Sequence, residues 1–288
     1  MLPPPPRGRI ARRGNFSEQR ANSRNIESSA VRSTSDLSFS PTHPRFLSLK
    51  IRDALVKAEA SGLVIPQGLI AHGRGEAFDY ILGERTMPAA SVATMAASAL
   101  LLRAEWPVIS VNGNAAALAG KDIAALAATV SASIEVNLFH RTLEREKLIA
   151  RYLKKFGAKE ILGVGSAASK TIGGISSPRA RVDPNGIGKA DVVLIPLEDG
   201  DRAQALMDEG KKIISIDLNP LSRTSQVASV SIVDNIVRAI PALTEASRNM
   251  KELPQSQVEK YASSFNNKTN LANAIGEIVQ YLQRWIRN

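Results

Sequence analysis

The 288-residue chain has no cysteine, only three histidines, and few aromatic residues (5%). The missing thiols exclude disulfides, Cys-ligated zinc, iron–sulfur clusters and thiol nucleophiles. His43, His72 and His140 lie far apart, so no helix carries a histidine pair at i, i+4 spacing for a metal. Long hydrophobic runs are missing too. The longest, PAASVATMAASALLL from Pro88 to Leu102, is alanine-rich, broken by Ser and Thr, and flanked by Arg85 and Arg103. That pattern suits a buried helix and is too short and weakly apolar to span a bilayer. The N-terminus lacks the apolar core of a secretory signal, and the chain reads as cytoplasmic, with no membrane partner.

What is there is a large apolar fraction, 44%, enough for a sizeable core in one large domain or two small ones. Net charge is +10, and seven arginines against Glu18, Glu27 and Asp36 in residues 1–43 account for +4 of it. The rest is spread without a long basic run, which fits a phosphate-bearing substrate as readily as DNA. Scarce aromatics leave little to stack on bases and argue against a nucleic-acid partner.

Three regions follow from composition and periodicity. Residues 1–41 form a Pro/Arg/Ser-rich tail that cannot bury enough apolar surface to order itself, and is expected to be disordered. Residues 42–106 read as an N-terminal helical segment. Leu47, Ile51, Leu55 and Ala58 recur at helical spacing, Gly62 supplies a stop, and the apolar piece GLI leads into AHGRGEAFDYILGERT. From 107 to 288 strands alternate with helices: PVISVNGN, IEVNLF, EILGVG, ADVVLIPLEDGD, KKIISID and VSIVDN are the strands, and C-terminal helices close the chain. The expected fold class is α/β: a Rossmann-like, mostly parallel sheet with helices on both faces, preceded by the helical segment.

Several strands share a habit, an apolar run ending on Asn, Asp or Glu, as in SVNGN, EVNLF, PLEDGD, SIDLN and IVDN. In a parallel sheet these ends meet along one edge, where ligands bind. His72, Asn112, Asn137 and Asp199 are candidates for substrate contact by position at that edge. In IISIDLNPLSRTSQ, Asp217 and Asn219 either face a ligand or form an Asx turn before Pro220. HGRG sets Arg74 between two glycines, either to let backbone and guanidinium approach an anion or as a plain glycine-rich turn. Asn235 caps a helix starting near Ile236, an ordinary cap or a phosphate cradle.

The nucleotide fingerprints are incomplete. No G-x-G-x-x-G links a strand to a helix, which weighs against a nicotinamide-dependent oxidoreductase. GVGSAASKT has Ser169 where a P-loop needs its second glycine. No Ser-His-Asp arrangement is visible.

The stretches HPRFLSLKIR, GLIAHGRGEAFDYILGERT, PVISVNGNAAAL, EVNLFHRT, VDPNGIGKADVVLIPLEDGDRAQAL, IISIDLNPLSRTS and SIVDNIVRAIPALTE together resemble the archaeal 4-phosphopantoate–β-alanine ligase (phosphopantothenate synthetase) family. They run from residue 43 to about residue 250, in the family's order. The resemblance implies an AMP-forming ligation in coenzyme A biosynthesis: ATP, 4-phosphopantoate and β-alanine give phosphopantothenate, AMP and diphosphate. It also implies a Rossmann-like core, a homodimer and a Mg²⁺ requirement. Carried onto this sequence, the ATP contacts fall on Arg52, Arg74, Asp217, Leu218, Asn219, Arg223, Thr224, Asn235 and Ile236. An acyl-adenylate route needs no protein nucleophile, which agrees with the missing cysteine and triad.

Overall fold

The computed structural model describes residues 40–287, so the tail expected at 1–41 lies outside the described residues but for its last two positions. Residues 47–288 cluster as one compact unit. In the described residues just before it, a turn is closed by amide bonds from His43 to Ser40 (2.9 Å) and from Phe46 to His43 (2.8 Å).

Helices α1 (Phe46–Ala60), α2 (Pro66–Leu82) and α3 (Pro88–Arg103) come first, and the sheet and its helices follow. These are β1 (Pro107–Val111), α4 (Gly113–Val130), β2 (Ser133–Val136), α5 (Leu143–Lys154), β3 (Ile161–Leu162), β4 (Lys170–Thr171), β5 (Arg181–Val182), β6 (Val192–Pro196), α6 (Gly200–Asp208), β7 (Lys212–Ile216), α7 (Arg223–Val227) and β8 (Val230–Ile232). Helices α8 (Ile236–Met250), α9 (Gln255–Ser263) and α10 (Asn267–Arg287) end the chain.

Six strands form one parallel sheet in the order β3-β2-β1-β6-β7-β8, as the alternating pattern led us to expect. Strand order runs one way from β1 through β2 to β3, and the other way from β6 to β8. The crossovers therefore diverge between β1 and β6, and a crevice opens there at the carboxyl ends. The central strands read as continuous apolar runs because both faces are covered: every residue of β1 and β6 is buried. Alternation splits them between two cores. Ile109, Leu194 and Ile214 meet α3, α4 and α8. Val108, Val193 and Ile213 meet α6 and the loop around Ile172, Val182 and Ile187. Alanines such as Ala93, Ala97, Ala115 and Ala116 let α3, α4 and α8 approach closely, which explains the alanine-rich Pro88–Leu102 run.

Three local expectations change. The HGRG segment is neither a loop nor a glycine-rich turn. It lies inside α2, which starts at Pro66 and stops at Gly83 in the left-handed region (φ 81°). Leu47 stays 39% exposed, while Ile51, Leu55 and Ala58 make the buried face of α1. Within the Gly/Ser-rich loop, β4 and β5 pair as a two-residue antiparallel ladder.

Candidate active site

The site is built where the strands end. Asn112 follows β1 and caps α4: its Oδ1 accepts the Ala115 amide at 3.0 Å. Its Nδ2 donates to the carbonyls of Pro196 (3.2 Å) and Leu197 (3.1 Å), tying β1 to β6 at the divergence point. Leu197 adopts φ 55°, and Glu198 and Asp199 follow it into the crevice.

Two cavities share this wall. The larger, about 410 Å³, receives Arg74 and Phe78 from α2, Asp217 and Asn219 after β7, and Asn235 and Ile236 at the start of α8. His72, Asp199, Leu218, Arg223 and Thr224 also line it. Ten of the thirteen residues singled out in the sequence thus meet in one place. The second cavity, about 340 Å³, holds Asn112 and shares Arg74, Asn114, Leu197, Glu198 and Asp199 with the first.

Arg52 and Asn137 are not brought into either. Arg52, on α1, donates from Nε to both carboxylate oxygens of Glu76 at 2.9 Å and from Nη2 to the Tyr80 hydroxyl at 3.2 Å. Asn137 is buried, and its Nδ2 donates to the carbonyls of Arg179 and Arg181 at 3.2 Å, holding the strand end of β2 to β5.

The turn after β7 is an Asx turn, and it lies at the wall of the larger cavity. Asp217 Oδ1 accepts the Asn219 amide at 2.9 Å, Asn219 Oδ1 accepts the Leu221 amide at 2.9 Å, and Asp217 Oδ2 accepts the Ser222 hydroxyl. These Asx turns aim the Asp217 carboxyl at the cavity. Burial pushes its pKa up, against the bonds from Ser222 and Asn219 and the charge of Arg74. Thr224 Oγ1 donates to the Glu198 carbonyl at 3.0 Å, fixing α7 to the end of β6. Arg223 is exposed and pairs with exposed Asp201, an arrangement that costs little to rearrange toward a ligand.

Helix α2 forms the opposite wall. Its own amides are tied up in the helix, so at HGRG only the Arg74 side chain remains to meet an anion. An added Cβ at Gly73 would touch nothing within 4 Å, and at Gly75 only Leu218 at 3.7 Å. Burial lowers the pKa of His72, whose Nε2 has no partner, so the ring is neutral at the cavity wall. About two turns beyond His72, Asp79 anchors α2 to α8 through Asn235 Nδ2 (2.7 Å) and the Arg238 guanidinium, which also meets Asp234. Asn235 Oδ1 meanwhile accepts the Val237 amide at 3.2 Å and caps α8.

The floor holds residues that the sequence reading did not single out. Glu198 lies between two guanidiniums, the 8% exposed Arg179 and the fully buried Arg202. Burial lowers both arginine pKa values to about 10. Glu198 stood only as one letter of PLEDGD, and Arg179 sits in a loop without periodicity, so no local pattern marked them. Among the described residues no group of three or more His, Asp or Glu side chains is placed to hold a metal ion.

The strand order and the polar crevice at its reversal define the class: a doubly wound α/β protein with a cavity at the carboxyl edge, where such folds bind ligands. Sequence comparison narrows it. Residues 89–281 match the phosphopantothenate/pantothenate synthetase family. The chain is 48% identical to a 4-phosphopantoate–beta-alanine ligase of Thermococcus kodakarensis over 244 residues, 84% of this chain and 93% of the relative. It is 48% identical to the protein of that name from Methanosarcina mazei over 241 residues, covering 84% and 94%. With its namesake from Methanospirillum hungatei the identity is 51% over 217 residues, covering 75% and 86%. The chain belongs to the phosphopantothenate/pantothenate synthetase family.

Proposed function

We propose that the protein joins 4-phosphopantoate to β-alanine at the expense of ATP, giving 4′-phosphopantothenate, AMP and diphosphate in coenzyme A biosynthesis. The observation that carries this reading is identity near 50% over most of the chain to relatives named for that ligation. The two adjoining cavities suit it, since the reaction must hold a nucleotide and an acid side by side.

In this reading ATP takes the larger cavity. Asp217 accepts the ribose hydroxyls, as acidic residues after a strand do in dinucleotide folds. Arg74 and Arg223 neutralise phosphate charge, and the start of α8, with Asn235 and Ile236, lends its partial positive end. Leu218, Asn219 and Thr224 shape the turn around the nucleotide. Arg52 acts through α2: its partner Glu76 is two residues from Arg74 on the same helix. His72 and Asp199 face the acid substrate, while Asn112 and Asn137 hold the strand ends that frame it.

The substrate carboxylate attacks the α-phosphate and diphosphate leaves. The β-alanine amine then attacks the acyl carbon, losing a proton, and AMP departs with the former carboxylate oxygen. Orientation and charge stabilisation are the protein's share of this chemistry. The half-exposed Asp199 is the side chain that would help hold a nucleotide-borne Mg²⁺, which would supply charge neutralisation. The enzyme works as a cytoplasmic homodimer.

The test is product analysis. Incubation with ATP, 4-phosphopantoate and β-alanine should release AMP and diphosphate in equal amounts, dependent on both cosubstrates. ADP as product would remove the adenylate route, and no turnover would remove the ligase reading.

A further inference from the structure

Leu197, where β6 gives way to the crevice wall, holds a backbone conformation that a residue with a Cβ avoids (φ 55°). Such a residue persists only where its surroundings over-determine it. Here they do. The Leu197 amide donates to the Ile216 carbonyl at 3.1 Å, and its own carbonyl accepts from Asn112 at 3.1 Å. The Glu198 carbonyl accepts the Thr224 hydroxyl at 3.0 Å. The Glu198 carboxylate then folds back on its own backbone, and Oε1 accepts the Asp199 amide at 3.0 Å.

Arg202, on α6, reaches both polar residues of this turn yet lines neither cavity. Its amide donates to Asp199 Oδ1 at 2.9 Å. Its Nη1 donates to Glu198 Oε2 at 2.5 Å and to Ser110 Oγ, on β1, at 3.2 Å. The side chain is fully buried, and its Nε and Nη2 have no hydrogen-bond partner. Stability alone gives no reason to bury a guanidinium there, because an apolar side chain of similar volume serves a core as well or better. The bonds point instead to geometry: Arg202 pins the turn from behind while the half-exposed Asp199 carboxylate faces both cavities in front.

We propose that Arg202 is a positioning residue: acting through Glu198, it keeps Leu197 in the left-handed region and so fixes Asp199 at the wall the two cavities share. Its effect on turnover rests on the ligase reading above; its effect on the turn does not. Released from Arg202, the Glu198 carboxylate loses the partner that aims it at the Asp199 amide. Leu197 then relaxes toward negative φ, and the Asp199 carboxylate swings away from the reacting groups. A glycine at 197 would take the left-handed conformation without that clamp.

The experiment measures Arg202→Met in two backgrounds, the unchanged chain and Leu197→Gly, by kinetics and crystallography. With leucine at 197, Arg202→Met should lower kcat about 30- to 100-fold, the scale of a misplacement near 1 Å. KM for ATP should stay within about threefold, since the lost interaction is not one with bound nucleotide. With glycine at 197, the same change should lower kcat less than about tenfold, a coupling that a purely structural arginine would not show. Only one nitrogen of Arg202 meets Glu198, so Arg202→Lys should restore most of the rate. The crystal structure of Arg202→Met should show Leu197 at negative φ. Where Arg202→Met does not fold, adding Glu198→Gln removes the stranded charge, and the same comparison is made with that pair. Equal factors in the two backgrounds would overturn the proposal, and so would a lysine variant as slow as the methionine one. Leu197 still at positive φ in the variant would overturn it whatever the kinetics. No turnover by the unchanged protein removes the ligase reading and leaves the φ of Leu197 to decide this one.

Discussion

Asn112 and Leu197 are joined across the point where the strand order reverses: the amide nitrogen of the first donates to the carbonyl of the second at 3.1 Å. The same side chain caps α4 through Ala115, so one residue sets both the width of the crevice and the start of the helix beside it. Asn112→Asp separates the two jobs. Aspartate caps as well as asparagine but turns an oxygen toward the two carbonyls. It should cost about 1–3 kcal/mol in chemical denaturation and lower kcat with little change in helix content. Asn112→Ala loses the cap as well and should cost about 1 kcal/mol more. An Asn112→Asp variant as stable as the unchanged protein would mean that the cross-strand tie is worth nothing, and equal costs for the two variants would mean that the cap is.

Asp217 and Arg223 answer to different tests because one is half-buried and bonded within its turn and the other is exposed. Asp217→Asn can still accept the Asn219 amide, so most of the Asx turn survives. A lost charge-assisted bond to the ribose costs about 1.5–3 kcal/mol, roughly ten- to a hundredfold in ATP affinity by calorimetry. Normal ATP affinity in a destabilised Asp217→Asn protein would leave the turn as structure alone.

Arg223→Ala removes only an exposed pair with Asp201. Its unfolding temperature should not move. If the guanidinium meets charge that grows in the transition state, kcat should fall on the order of 10²–10³. A kcat within a factor of two of the unchanged protein would sink that role.

The sheet, its parallel pairing and the convergence of polar strand ends were legible in the sequence because a parallel strand buried on both faces must be an apolar run, and its end must change character. Asp217, Asn235 and Asp199 were found that way. Helix α2 was not. Three glycines within ten residues (Gly68, Gly73 and Gly75) mask a helix whose support is tertiary: Asp79 to Arg238 and Asn235, and Asn114 Nδ2 to the Gly68 carbonyl at 2.8 Å. An added Cβ at Gly68 would meet Asn114 Oδ1 at 2.3 Å, so that glycine marks the close approach of α2 to α4. Arg145 was hidden for another reason. In RTLEREKLIARYLKK it is one charge among many, and nothing local shows that it lines the second cavity.

Asp79 should therefore be a stability residue with a functional echo. Removing one partner of a buried pair typically costs 3–5 kcal/mol, and Arg238 keeps Asp234, so Asp79→Ala should cost less, about 2–3 kcal/mol. Arg238→Met strands the buried Asp234 as well as Asp79, and the double variant should cost less than the sum of the two single variants in a double-mutant cycle. Because Asp79 orients the wall that carries Arg74, KM for ATP should rise in the single variant even where the protein is fully folded. Additive costs with an unchanged KM would mean that the network does not position the site.

Glu135 gives a pH prediction with a definite sign. It is fully buried, and its carboxyl oxygens accept the amides of Asp183 (3.1 Å) and Ile187 (2.6 Å), clamping the loop that closes the second core. Burial raises its pKa from 4.5 to about 7, against those two bonds and the charge of Arg202. Between pH 4.5 and 7 the folded chain holds a proton that the unfolded chain has released, so the folded state binds more protons and stability falls as pH rises. Below 4.5 the contribution is complete; above 7 it is gone. Glu135→Gln cannot titrate. The stability difference between the unchanged protein and this variant should shrink by up to about 3 kcal/mol as pH rises from 4.5 to 7, then level off. Asp217 and Asp234 titrate in both proteins and cancel in that difference. A gap that widens with pH would show that the amide donors of Asp183 and Ile187 outweigh burial and keep Glu135 ionised.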